Sequence, residues 1–326
     1  MALKTDISVI VPFLNEEDNI HDLCRALDGY AQDKPYRLEV LFVDDGSTDR
    51  SVERLREYPF SSIQAKILRL SKNYGSHAAL RAGVGRAQSE YCMFFSADLQ
   101  EPVELIGLLY DKIQEGYDLV GVQKGEVRIS AFEKAFSHTY ARLIQKHAVA
   151  SFPLGGINNV MFNAKIRDNL NRHIEANSSI FLQILNMGYR FTLITCNYKE
   201  RAKGKSKWTL GKKVKLFIDS FVAFSFAPIR FISVLGILLA VLGFLFGLSV
   251  VIIRLFHLYP LSLGWPTLVS VLTIGFGITN ISLGIIAEYL WRTLDAARDR
   301  PVFLIDEEIP LEYETTRNGE GVEEHD

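Results

Sequence analysis

The chain begins with a short apolar run, Ile7-Ser8-Val9-Ile10-Val11, closed by Pro12, and this β-branched pattern predicts a buried strand. The acidic turn Asn15-Glu16-Glu17-Asp18-Asn19 opens a helix with Ile20, Leu23, Cys24 and Leu27 on one face. Further strands are expected at Glu39–Val43, Lys66–Leu70, residues 91–95, Asp118–Val122 and Phe191–Thr195. Helical spacing fills the gap after the third strand through Ala78, Ala79, Ala82 and Ala87, and a basic-apolar helix is expected over 131–147. Strand and helix alternate, which predicts an α/β fold with a doubly wound, mostly parallel sheet. The right-handed crossover rule then lines the strand exits along one edge, where ligands of such sheets bind.

Beyond residue 210 the pattern changes. Lys212, Lys213 and Lys215 are interleaved with apolar residues over 210–229, as in a helix lying in a membrane interface. Phe231–Ile253 and Pro266–Ala287 contain no charged residue, and each is long enough to cross a hydrocarbon core of about 30 Å. Cations flank this pair of segments, with Arg230 before it and Arg292, Arg298 and Arg300 after it. The connecting loop holds only Arg254 and His257. By the positive-inside rule both termini are expected to be cytoplasmic. The expected division is therefore a globular domain over 1–209, a juxtamembrane helix over 210–229, a two-helix hairpin over 230–291, and a C-terminal segment over 292–326. The acidic end of that last segment, from Thr315, reads as disordered.

Composition narrows the function. The 326 residues carry 36 Lys and Arg against 38 Asp and Glu, a net charge of -2. No global basic field favours nucleic acid as a partner. Three cysteines, Cys24, Cys92 and Cys196, fit no zinc spacing and suggest a reducing compartment. No basic n-region or cleavage site precedes Ile7, so no signal peptide is expected.

The candidate chemistry sits at the strand exits. Phe94–Pro102 (FFSADLQEP) carries Asp98 and Gln100 as the chain leaves a buried strand. Oxygens two residues apart suit a hard cation beside a diphosphate, although Asp98 is equally suited to capping a helix near Pro102. Glu16 and Asp44/Asp45 leave other strands on the same predicted edge. Acids gathered in this way repel one another unless a cation or a donor-rich ligand sits among them, which favours a metal and nucleotide site. Pro153–Asn159 reads as a polar loop forming an acceptor-side wall. Arg201–Trp208 (RAKGKSKW) places several cations just before the spans, where they suit phosphate or anionic lipid.

Taken together, SVIVPFLNEEDN, VDDGSTD, SADLQEP and RAKGKSKW, followed by two apolar spans, resemble family-2 glycosyltransferases of the GT-A fold. Within that family the chain is similar to the polyprenyl-phosphate glycosyltransferases, and LSKNYGSHAALRAG is similar to those acting on undecaprenyl phosphate. The resemblance covers about residues 6–305. It implies that Pro12, Leu14, Glu16, Val43 and Asp45 line a nucleoside pocket, with Ser96, Ala97, Asp98 and Lys124 completing the nucleotide-sugar site. Asp98 and Gln100 would hold Mg²⁺ or Mn²⁺, and Arg201 and Lys207 would contact phosphate of the donor or the acceptor lipid, so that Asp98, Arg201 and Lys207 carry the catalysis. The implied activity is inverting transfer of a sugar from a UDP- or GDP-linked donor to a polyprenyl phosphate at the cytoplasmic face of the inner or plasma membrane. Transfer to another lipid-linked acceptor, or a non-catalytic nucleotide-sugar-binding scaffold, are the alternatives. A homo-oligomer is compatible with the sequence, since the spans can pair within or between chains.

Three positions depart from the family pattern. Ser96 stands where a first carboxylate is usual, which removes an anionic metal ligand. Asn158-Asn159 replaces an acid. An acceptor phosphate, with a second pKa of about 6, is already largely anionic near pH 7 and tolerates that loss better than a hydroxyl would. Asn177, Ser178 and Ser179 lack an Arg often found there, which leaves the sugar open.

Overall fold

The structure, a computed structural model, describes residues 5–125, 138–139, 141–146, 149–175, 178–198, 227–256, 265–298 and 300–311. They fall into two compact units, one within 1–220 and 301–326 and the other within 221–300.

The first unit is an eight-stranded sheet with helices. Its strands are β1 (Ile7–Phe13), β2 (Leu38–Asp44), β3 (Gln64–Leu70), β4 (Tyr91–Phe94), β5 (Leu119–Lys124), β6 (Asn159–Asn163), β7 (Phe191–Cys196) and β8 (Ile305–Pro310). They are ordered β7-β5-β6-β4-β1-β2-β3-β8. β1 pairs in parallel with β2 and β4, β2 with β3, and β5 with β7. β6 runs antiparallel to both β4 and β5. Its insertion makes β5 and β7 point the same way as β1 and β4, so all six of the expected strands end at one edge. β6 begins at that same edge, and this puts Asn159 beside the exits of β4 and β5.

The central strands form where the apolar runs are continuous. Every residue of β2 is buried, as both faces of a covered parallel strand require. Helix α1 (Glu17–Ala31) buries Ile20, Leu23, Cys24 and Leu27, the expected face. Helix α2 spans Ser51–Arg56 and α3 spans Ser76–Arg86. Small residues on α3 allow it close to β1. A Cβ on Gly83 would meet Ile10 Cγ2 at 2.3 Å, well inside contact distance. Helix α4 (Leu105–Gln114) and the helical residues 141–146 (α5) follow, then α6 (Ala164–Arg172) and α7 (Ile180–Asn186). The rest of the helix expected over 131–147 lies almost wholly outside the described residues. Phe42, Phe60, Phe95 and Phe162 are among the largest fully buried side chains of the core. All three cysteines are free and buried.

Two strands differ from the sequence expectation. β6 starts within the segment expected to be loop. β8 comes from the C-terminal segment and pairs antiparallel with β3, with Arg86 Nε 2.6 Å from Glu308 Oε1. Residues 305–310 thus cover the edge of β3, which would otherwise present unpaired backbone groups.

The second unit is a helix pair, α8 (Ala227–Leu255) and α9 (Trp265–Ala297), in contact with one another. Large apolar side chains such as Phe244, Leu290 and Phe276 face outward. The hydroxyls of Thr279 and Ser282 bond back to the carbonyls of Gly275 and Ile278 in their own helix, which satisfies these two donors on an apolar surface. Among the described residues, one segment, Ile274–Asp295, is long and apolar enough to cross a membrane, and Phe231–Phe246 is a shorter apolar stretch. The juxtamembrane helix expected over 210–229 lies outside the described residues except for its last positions, which open α8.

Candidate active site

The site is built on the exit of β4. Phe95 N donates to Ile10 O at 2.9 Å, which keeps the chain on the sheet for one residue beyond the strand. Ser96 then turns away. Glu101 Oε2 accepts from Ser96 N at 3.2 Å and closes the loop on itself. Inside this loop Asp98 Oδ1 accepts from Gln100 N at 3.3 Å, and Leu99 is held at φ 54°. A left-handed conformation costs a non-glycine residue about 1–2 kcal/mol, and such costs are kept where a loop has a task. Helix α4 starts only at Leu105, with Glu104 before it. Asp98 is therefore not its cap, and that alternative is removed.

Glu101 is the hub of the loop and was not singled out by the sequence. It is 2% exposed. Besides Ser96 N it takes Asn159 Nδ2 at 2.7 Å and Tyr198 OH at 2.8 Å. The carboxyl thus ties the exits of β4 and β7 to the start of β6. Burial pushes it up to about 7, against the lowering effect of its three hydrogen bonds. Burial and the adjacent Glu101 carboxylate likewise hold the Tyr198 phenol protonated. Lys124, at the end of β5, lies over the Tyr198 ring with Nζ 4.6 Å from its centroid, so its ammonium is brought to the same corner.

The other acids do not converge as expected. Asp44 is buried, accepts from Ser47 N at 2.8 Å and lies 3.6 Å from Arg69 Nε. Asp45 accepts from Tyr74 N at 2.7 Å and Gly75 N at 3.0 Å. Burial raises its carboxyl, and these backbone bonds oppose the shift. Glu16 Oε2 accepts from Asn19 Nδ2 at 2.7 Å. Each acid thus accepts at least one hydrogen bond. Among the described residues, buried Asp44 Oδ2 has only the Arg69 charge beside it, and no group of three or more His, Cys, Asp or Glu side chains is arranged to hold a metal. Donors within the chain offset part of the repulsion for which the sequence reading invoked a cation or a donor-rich ligand.

What these acids do is shape the loops beside Pro12, Leu14 and Val43. Asn15 N donates to Ser47 Oγ, and Asn15 Oδ1 accepts from Thr48 N at 2.8 Å, so the exits of β1 and β2 are laced together. Gly46, at φ 78°, passes so near the chain at Lys72-Asn73 that a Cβ would lie 2.8 Å from Asn73 N. Asp45 secures the same turn from the other side. The remaining carboxylate in the β4 exit loop is Asp98, with the amide of Gln100 and the hydroxyl of Ser96 nearby in sequence. One carboxylate with neutral oxygens suits Mg²⁺ or Mn²⁺ only when phosphate oxygens complete the shell, a common arrangement for such ions. Arg201 and Lys207 lie outside the described residues.

A cavity of about 510 Å³ opens beside this loop. Pro12 and Phe94–Ser96 form its sheet side, and Ser76, His77 and Leu80 of α3 form one wall. Gly155–Asn159 and the start of α7, with Ser179 and Phe181, close the opposite side. The polar loop expected as an acceptor-side wall thus lines a real cavity, with Asn158 in it. His77 is a second residue that sequence reasoning passed over. No described lining residue is Asp, Glu, Lys or Arg.

Residues 8–194 match the model of Glycosyl transferase family 2. An uncharacterized glycosyltransferase, YkcC, of Bacillus subtilis is 32% identical over 316 residues, covering 96% of this chain and 97% of its own. An undecaprenyl-phosphate 4-deoxy-4-formamido-L-arabinose transferase of Klebsiella pneumoniae is 32% identical over 304 residues, 92% of each chain. Among solved structures, glucosyl-3-phosphoglycerate synthase from Mycobacterium tuberculosis aligns with a TM-score of 0.46 at 15% identity, over 66% of this chain and 80% of that one. The family match spans the sheet from β1 to β7 together with the β4 exit loop and its cavity, and on this ground the chain belongs to the family-2 glycosyltransferases.

Proposed function

We propose that the protein transfers a sugar from a UDP- or GDP-linked nucleotide-sugar to a polyprenyl phosphate, with inversion at the anomeric carbon, at the cytoplasmic face of a membrane. The observation that carries this reading is the absence of any carboxylate among the described residues lining the cavity. A hydroxyl acceptor needs a base to remove its proton as it attacks. A phosphate monoester, with its second pKa of about 6, needs only alignment and charge neutralisation. The relatives named as undecaprenyl-phosphate transferases, alike over nearly the whole chain, support the same acceptor.

In this reading the acceptor oxygen forms its bond to the anomeric carbon as the bond to the donor diphosphate breaks. Pro12, Leu14, Glu16, Val43 and Asp45 line the nucleoside site, and Asp45 does so by holding the 74–75 turn. Asp98 and Gln100 would hold a divalent cation with the donor diphosphate, and the charge it supplies stabilises the leaving group. Ser96 and Ala97 bring backbone to the donor, while Lys124, Arg201 and Lys207 offset phosphate charge. Helices α8 and α9 serve as a membrane hairpin that keeps the enzyme with its lipid acceptor, and the flanking cations orient both termini to the cytoplasm.

Purified full-length protein with labelled UDP- and GDP-sugars and undecaprenyl phosphate is expected to give a lipid-soluble product that disappears in Asp98→Ala. No product across a broad donor panel would overturn the proposal.

A further inference from the structure

His77 is a polar group that the proposed chemistry leaves unused. It lies in the first turn of α3 and lines the cavity beside the β4 exit loop. Its ring stands edge-on to Phe181, with centroids 6.0 Å apart. Nδ1 is closed off from solvent and has no hydrogen-bond partner among the described residues. Burial, and then the Arg81 cation one turn along α3, hold the imidazole neutral, with its pKa down to about 4. A neutral ring offers one donor and one acceptor. With Nδ1 enclosed, Nε2 is the nitrogen left to meet a ligand.

The remaining lining restricts what that ligand is. Its polar members are Ser76, Ser96, Asn158, Asn159 and Ser179, all neutral, set among aromatic and aliphatic walls. Behind α3 the Arg81 guanidinium is buried at 4% exposure and donates to Gln183 Oε1, Ser178 O and Ser178 Oγ. Those hydrogen-bond acceptors are all neutral, but the Glu175 carboxylate acts on the same guanidinium, and Arg81 itself does not line the cavity. A sugar ammonium entering here would lose its water and find no carboxylate on the walls. A sugar carboxylate would lose its water without a cation to receive it. A ring bearing only hydroxyl or amide groups matches the walls, with its apolar face against the aromatics and its hydroxyls on the neutral side chains.

We propose that the cavity receives the transferred sugar as an uncharged glycosyl group and that His77 is a specificity-determining residue, hydrogen-bonding that sugar through Nε2. This rests on the donor reading above but not on the identity of the acceptor.

The test is binding to the detergent-solubilised full chain without acceptor, by calorimetry. The probes are UDP, UDP-glucose, UDP-N-acetylglucosamine, UDP-glucuronate and UDP-glucosamine, with GDP and GDP-mannose as a second set. An uncharged sugar is expected to bind at least about tenfold more tightly than the charged sugars on the same nucleotide. His77→Leu is expected to weaken the uncharged donor about tenfold, which corresponds to one lost hydrogen bond, and to leave the bare nucleoside diphosphate within twofold. His77→Gln, which keeps a donor near the Nε2 position, is expected to recover most of the loss. Unchanged donor affinity in His77→Leu, equal weakening of donor and nucleoside diphosphate, or glucuronate or glucosamine bound as well as glucose would each overturn the proposal. If the His77-dependent preference is present while undecaprenyl phosphate yields no product, this inference stands and the acceptor reading falls. Failure of every nucleotide to bind overturns both.

Discussion

Glu101 and Asn159 meet through a hydrogen bond of 2.7 Å although 58 positions separate them in the chain. The contact exists because β6 enters the sheet antiparallel, starting where β4 and β5 end. With Ser96 N and Tyr198 OH on the same carboxyl group, Glu101 joins the exits of two strands to the start of a third. The β4 loop that presents Asp98 is therefore held from inside the protein and not by its own sequence alone.

Replacing Glu101 tests this arrangement. Glu101→Ala leaves one buried and two partly buried donors without this acceptor, and at the low end of the cost of an unsatisfied donor each loses about 1 kcal/mol. The melting temperature of the full chain is expected to fall by roughly 6–12 °C, at about 2–4 °C per kcal/mol for a unit of this size. Glu101→Gln keeps one acceptor oxygen for Ser96 N and Asn159, and the Tyr198 hydroxyl can turn to accept from the new amide. It should lose less than half as much. Glu101→Gln as damaging as Glu101→Ala, by scanning calorimetry or dye-monitored melting, would contradict the hub role.

How much of this was legible in the sequence differs by element. β1, β2, β4 and β5 were readable because burial on both faces leaves a continuous apolar run, and β3 and β7, though partly exposed, still show short apolar runs. β6 and β8 were not. Asn159–Asn163 is a short apolar core framed by asparagines, next to Gly155-Gly156, and it reads as the end of a loop. Ile305–Pro310 is half acidic, and only its partner β3, far away in the chain, makes it a strand. The site followed the same division. Asp98 and its loop were visible as a motif, but the donors on Asp45 are the backbone N–H groups of Tyr74 and Gly75, about thirty positions along the chain, while those on Glu16 and Asp44 come from turns whose geometry the acid pattern alone does not fix. Counting acids along one edge therefore overstated their need for a cation. His77 gave no periodic signal at all, since only the packing of α3 against the β4 exit and α7 places it in the cavity wall.

His77 also makes stability depend on pH in a predictable direction. In the unfolded chain an imidazole takes its proton near 6.5, whereas in the folded chain His77 resists protonation down to about 4. Below 6.5 the unfolded state therefore binds more protons, and stability is lost as pH falls from 6.5 toward 4. Other groups titrate over the same range, so the readout is the difference between wild type and His77→Gln. The wild type should lose stability more steeply on acidification, and the gap should stop changing above about pH 7. Parallel melting curves from pH 4 to 7 would show that His77 is not held neutral.

β8 permits a test in which size of effect separates two explanations. The Arg86–Glu308 pair is about half exposed on both sides. Surface pairs of this kind contribute about 0.2–1 kcal/mol, so Glu308→Ala should move the melting temperature by no more than about 4 °C. A stop codon at Ile305 removes the strand itself and leaves the backbone groups of β3 facing solvent. That protein is expected to associate through the bared edge and elute early in size-exclusion chromatography. A truncated chain that stays monodisperse and melts like Glu308→Ala would reduce β8 to its ion pair.

Ser96 offers a gain of function. The β4 exit loop supplies one carboxylate, Asp98, where the family pattern supplies two, so any divalent cation there depends on phosphate oxygens from the nucleotide. Calorimetry with Mn²⁺ alone is expected to show no saturable binding to wild type, and nucleoside diphosphate should bind more tightly with Mn²⁺ than without it. Ser96→Asp adds an anionic oxygen two residues before Asp98 and should lower the Mn²⁺ concentration for half-maximal nucleotide binding, by roughly threefold to tenfold, since ligand charge count tunes such sites. The same change brings a negative charge next to Asp98 and the buried Glu101, so the metal-free protein should melt lower than wild type and recover when Mn²⁺ and nucleotide are added together. Asp98→Asn should abolish the Mn²⁺ effect on nucleotide affinity in both backgrounds. Nucleotide binding that ignores Mn²⁺ in wild type and in Ser96→Asp alike would remove the cation from this site, and the charge on the leaving diphosphate would then fall to Lys124 and the basic segment containing Arg201 and Lys207.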